Sequence, residues 1–135
     1  MVAVNLRLSE SGGEPEKGVT QDQISELVDT FYEQVRGDDL IGPIFDEHVR
    51  DWDHHLEKMK RFWSSAVLRT GTYSGRPMEA HRRLPGLERR HFDRWQSIFT
   101  RVTDDVVPDT AHVFQDLGRR MGASMIMRLL IDEDG

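Results

Sequence analysis

Apolar residues recur at intervals of three and four in four separate stretches of this chain, and that period leaves little room for any fold but a helical one. Ile24, Leu27, Val28, Phe31, Tyr32 and Val35 make the first stripe. Trp52, His55, Met59, Phe62, Trp63 and Val67 make the second, and Phe92, Trp95, Ile98, Phe99 and Val102 the third. Val113, Phe114, Leu117, Met121, Met125 and Leu129 make the last. Each stripe covers one face of a 3.6-residue helix. No stretch alternates with the period of two that a strand needs, so the expected fold class is all-α.

Punctuation sets the expected limits. Thr20-Gln21-Asp22-Gln23 fits a capping box, with Thr20 as N-cap and Gln23 reaching back. Gly37-Asp38-Asp39 closes that helix. Leu40-Ile41-Gly42-Pro43-Ile44-Phe45 reads as a compact apolar connector whose large residues point inward. A third helix is expected over 87–102, with Asp104, Asp105 and Pro108 interrupting, and a last one over about 108–130. Residues 1–19 carry Gly12-Gly13 and Pro15 among charged residues and read as a loosely attached leader. A single domain over 20–131 follows, then the solvated acidic tail 132–135. At 135 residues the chain is long enough for one real core.

The chain has no cysteine, which excludes disulfides, thiolate metal sites, iron–sulfur clusters and CxxCH attachment of a haem. A formal net charge of −6 argues against a nucleic-acid partner. No run of 18 apolar residues and no signal-peptide pattern occur, so no membrane partner is expected and the location is read as cytoplasmic. Any metal must be held by nitrogen or oxygen, and the six histidines at 48, 54, 55, 81, 91 and 112 are the candidate donors.

Those histidines are not equivalent. His54 and His55 point about 100° apart on a helix and cannot share one site. His48 and His112 lack a periodic partner and read as structural. His91 falls in the first turn of a long helix. His81 is different, because Pro77 can start a helix and Pro85 must stop it within two turns. So short a helix hardly forms alone, and a bond from its imidazole to a metal would hold it in place. Tyr32, Phe45, His55, His81 and Trp95 also come one from each successive helix or connector. Wrapped around one cavity, they would set a ligand histidine opposite several polar-tipped aromatic groups. By spacing alone the chain is a helical domain with either a His-ligated cofactor or structurally satisfied histidines in an interaction module.

The residues that separate those readings are Leu27-Val28-Asp29-Thr30-Phe31-Tyr32, Ile41-Gly42-Pro43-Ile44-Phe45, Trp52-Asp53-His54-His55 with Phe62-Trp63, Tyr73 through His81 with Leu84-Pro85, and His91-Phe92-Asp93-Arg94-Trp95. In this order they resemble the group III truncated haemoglobins, over roughly residues 20–125. The resemblance implies a two-over-two globin, with the B/E helix pair packed on the G/H pair around haem b. His81 would be the proximal iron ligand and His55 the distal histidine. Tyr32 and Trp95 would line the distal pocket, and Phe45 would pack on the porphyrin. Met59 joins the haem-binding set from the apolar face of the His55 helix. Lys58 and Arg61 would reach the propionates, with Arg76 and Arg82 as further candidates. The implied ligands are dioxygen, NO or CO, or an anion such as cyanide, and the implied role is oxygen binding or transport. Several donors beside the ligand would also suit an enzyme acting on peroxide or nitric oxide, fed by a reductase.

Overall fold

The computed structural model describes residues 16, 18–71 and 87–125. Five α-helices and one π-helical turn make up this part, with no strand among the described residues.

Helix α1 (Gln21–Arg36) begins where the capping box places it. Gln23 N donates to Thr20 Oγ1 at 3.2 Å, and Thr20 N donates to Gln23 Oε1 at 3.0 Å. All six stripe residues are buried, because they share the face that meets the other helices. Past Gly37 the Asp38 carboxylate accepts from Leu40 N at 3.0 Å and Ile41 N at 2.9 Å, which turns the chain sharply.

The expected apolar connector is a helix from its third residue. Helix α2 (Gly42–His48) has Pro43 in its first turn, where a missing N–H costs nothing. Its start presses on the end of α1: a Cβ on Gly42 would lie 2.9 Å from Val35 O. Only glycine allows that approach, which brings Ile44 and Phe45 toward Tyr32.

Helix α3 (Trp52–Trp63) is capped by Asp51, whose carboxylate accepts from His54 N at 3.2 Å. It runs into a π-helical turn over Ser64–Leu68, where Arg69, at φ 61°, donates its N–H to Ser64 O. Lys60 to Asp29 (3.0 Å) and Ser64 Oγ to Gln21 Oε1 (2.6 Å) fasten α3 and the turn to α1.

Helix α4 (Arg89–Val106) runs four residues past its expected end. Asp104 and Asp105 are exposed and so do not break it. Thr103, fully buried, returns its hydroxyl to Phe99 O at 2.8 Å. Pro108 to Thr110 form a turn, so helix α5 (Ala111–Met125) starts three residues later than expected. Leu129 and the rest of that expected helix lie outside the described residues.

Helix α1 packs on α3 and α4, and α4 on α5. Phe99 centres the core, stacked between Trp95 (4.8 Å) and Trp63 (5.2 Å), with Phe31 edge-on at 5.2 Å. Such pairs contribute roughly 0.5–1.5 kcal/mol each beyond area burial. The stretch read as a leader reaches this core at its end: Val19 is buried, and Glu16 N donates to Val67 O at 2.9 Å.

Candidate functional site

A cavity of about 300 Å³ opens between the helices, within the range that holds small ligands and cofactors. Helix α1 contributes Tyr32; α2 contributes Phe45 and His48; α3 contributes His55, Lys58 and Met59. Helix α4 contributes His91 and Trp95, and α5 contributes Gly118 and Gly122. Six of the eight residues singled out from sequence therefore share one wall system: Tyr32, Phe45, His55, Lys58, Met59 and Trp95. Arg61 is not among them. It follows His55 by six residues, about 240° around a helix, and so faces a separate surface recess with Gln21, Asp22 and Glu57. His81, Arg76 and Arg82 lie outside the described residues.

The Tyr32 ring is braced from all sides. Phe31 and His55 lie edge-on at 5.0 Å, Phe45 at 5.7 Å, and Trp52 is tilted at 5.9 Å. Burial raises the Tyr32 phenol well above its ordinary value, so the hydroxyl keeps its proton and acts as a donor. Among the described residues no hydrogen-bond partner faces that hydroxyl. Trp95 is fixed by its stack on Phe99, which orients the indole N–H.

Two glycines of α5 complete the lining. Gly118 sits so close to Trp95 and Phe99 that a Cβ would come within 3.3 Å of both rings. A Cβ on Gly122 would meet nothing within 4 Å, so bare backbone faces the open space there.

Two further histidines line this cavity: His48, which reads as structural from the sequence, and His91, which the sequence places only in the first turn of a helix. His48 Nδ1 donates to Ile44 O at 2.9 Å, one turn back in α2. His91 is buried, and its Nδ1 accepts from Glu88 N at 2.8 Å, closing the N-terminus of α4. The local signal for His91 was its place three residues into a helix, where Gln23 caps α1. That it also faces a cavity depends on how α4 lies across α1 and α5. Every ionisable group among the described lining residues is basic or phenolic, although the chain carries 24 carboxylates against 18 lysines and arginines.

A charged clamp holds these walls in register. Arg94, next to Trp95, donates from Nη1 to Asp38 at 2.6 Å, joining α4 to the α1–α2 corner. Burial alone would raise the Asp38 carboxyl, but the amides of Ile41 and Leu40 and the Arg94 guanidinium outweigh it and hold the group below its usual range. No group of three or more His, Cys, Asp or Glu side chains able to hold a bare metal ion occurs among the described residues. None of the described helices is long and apolar enough to cross a membrane.

The profile of the bacterial-like globin family matches residues 17–121. A group 3 truncated hemoglobin of Campylobacter jejuni is 34% identical over 85 residues, covering 60% of this chain and 67% of the relative. A group 2 truncated hemoglobin of Bacillus subtilis is 30% identical over 103 residues, covering 73% of this chain and 76% of its own length. The crystal structure of the group III truncated hemoglobin from Campylobacter jejuni superposes with a TM-score of 0.78 at 28% identity, covering 85% of this chain and 94% of that one. The chain therefore belongs to the bacterial-like globins and is a truncated haemoglobin whose fold superposes on that of a group III member.

Proposed function

We propose that this chain holds haem b in the cavity, with His81 as proximal ligand, and binds dioxygen or another small ligand under Tyr32, His55 and Trp95. The observation that carries the reading is the convergence of three polar-tipped rings from α1, α3 and α4 on one aromatic cavity that α5 lines with glycine backbone. A flat, apolar prosthetic group fits such a cavity, and the donors fit a ligand that gathers negative charge. Haem supplies an iron with one axial position for an imidazole and one for a small ligand.

The chain's own residues do the rest. Tyr32 O–H and Trp95 N–H donate toward the ligand side, where low dielectric strengthens each bond. Phe45 and Met59 cover apolar surface. Lys58, the lining cation, meets carboxylates at the edge of the cavity, whereas Arg61 faces the other way. His91 is unsuited as the iron ligand: with Nδ1 accepting from the Glu88 amide, its proton sits on Nε2, the atom that would have to coordinate. That argument supports His81 as proximal ligand.

Donors from three helices favour slow release over transport, and so support a second reading as an enzyme acting on peroxide or nitric oxide. Sustained turnover would then draw electrons from a reductase. Anions such as cyanide suit the same carboxylate-free wall.

Reconstitution with hemin tests the primary reading. An intense Soret band that His81→Gly abolishes and His91→Gly leaves at the parent wavelength is expected. A normal five-coordinate spectrum in His81→Gly would refute the proximal assignment. Stopped-flow mixing of the dioxygen-loaded protein with NO, beside peroxide turnover, separates carrier from enzyme.

A further inference from the structure

His91 is a buried imidazole in the wall of the cavity, and its tautomer is decided by the backbone. Glu88 N donates to Nδ1 at 2.8 Å, so Nδ1 must present its lone pair and the ring proton must sit on Nε2. With Nδ1 taken by the amide, Nε2–H is the N–H left to give. Among the described residues nothing accepts from Nε2. The lining residues within four positions of it in the chain, Leu87, Phe92 and Trp95, have no side-chain acceptor, and no described lining residue is a carboxylate. His91 lines the open cavity, so its Nε2–H is placed to meet an acceptor on whatever fills it.

We propose that His91 is a positioning residue whose Nε2–H binds a carboxylate of the group that occupies the cavity, fixing the orientation of that group in its plane. This rests on the haem reading, since the porphyrin of haem b carries two carboxylates and an otherwise apolar rim. Lys58, from α3, stands on another wall and can serve the second carboxylate.

Zinc protoporphyrin IX and its dimethyl ester test the assignment, since esterification removes the carboxylates and keeps the ring. In proton–nitrogen correlation spectra of the parent, His91 Hε2 moves downfield and exchanges more slowly with the diacid bound, and does neither with the diester. Release into excess acceptor apoglobin is the second readout. His91→Phe speeds release of the diacid about ten- to hundredfold and leaves release of the diester near the parent rate. His91→Gln, which keeps an acceptor for the Glu88 amide as Gln23 does in α1 and still offers an N–H, restores most of the retention. If His91 served α4 alone, His91→Phe would loosen both porphyrins equally, and that result overturns the proposal. An Hε2 signal unmoved by the bound diacid overturns it as well, with the haem reading intact. Failure to bind either porphyrin sinks both.

Discussion

Replacing Tyr32 by Phe should make the protein more stable and its ligand less firmly held. The ring is only 7% exposed and is braced by Phe31, Phe45, Trp52 and His55, so losing one oxygen leaves it in place. A hydrogen bond to a partially charged ligand is worth roughly 1.5–3 kcal/mol, which converts to about ten- to hundredfold faster dioxygen release. Carbon monoxide gathers less charge, so its release should change far less. In the cofactor-free chain the hydroxyl has no partner among the described residues but borders the cavity, so its removal should raise stability by less than the roughly 1–3 kcal/mol of a fully buried orphan group. Burial raises the folded phenol above the ordinary value of about 10, so that increment has a pH dependence. Below about pH 10 both states keep the proton; above it only the unfolded chain loses it, and the parent's stability falls while that of the variant does not. Flash photolysis and stopped-flow displacement give the release rates, and urea melts at pH 8 and pH 10.5 give the stabilities. Parent-like dioxygen release in both Tyr32→Phe and Trp95→Phe would refute the donor role and leave the ligand side to His55.

Other residues yield independent expectations. Asp38→Asn should cost about 0.5–2 kcal/mol at neutral pH by weakening the cap on Leu40 and Ile41 and the tie to Arg94. Because the folded Asp38 carboxyl lies below its ordinary value, parent and variant stabilities should converge as pH falls through and below about 4. Phe99→Ala, at the centre of the Trp95–Phe99–Trp63 stack, should cost about 3–5 kcal/mol in urea melts. Gly122→Leu should leave the helix content of the cofactor-free chain unchanged, by circular dichroism, while abolishing hemin uptake, because its side chain points into open space. Unimpaired uptake would show that the open space beside Gly122 is not needed.

What local sequence determined here is what local physics controls. The 3.6-residue period put the six α1 stripe residues in the core, and the Thr20–Gln23 capping box started the helix at the expected place, because both depend on neighbours within one turn. The same period brings Tyr32, His55, Met59 and Trp95 inward, and their origin on successive helices suggests one cavity without requiring it. The proline punctuation around His81 suggests a metal bond, whereas haem and the proximal role come from the family resemblance.

Tertiary contact decided the rest. The Leu40–Phe45 run is helical from Gly42 because α1 offers its terminal carbonyls at a distance that only glycine tolerates. Helix α4 ignores Asp104 and Asp105 because those side chains fall on its wet face while Thr103 falls on the dry one. Arg61 left the site although it stands three residues from Lys58, since about 300° of helix rotation carries it to another surface. His48 and His91 entered the site because α2 and α4 happen to cross beside it. Their role follows from the angle between helices, which no interval along the chain encodes. A side chain's neighbours within one turn are set by the backbone period, whereas its neighbours on other helices are set by how whole faces pack.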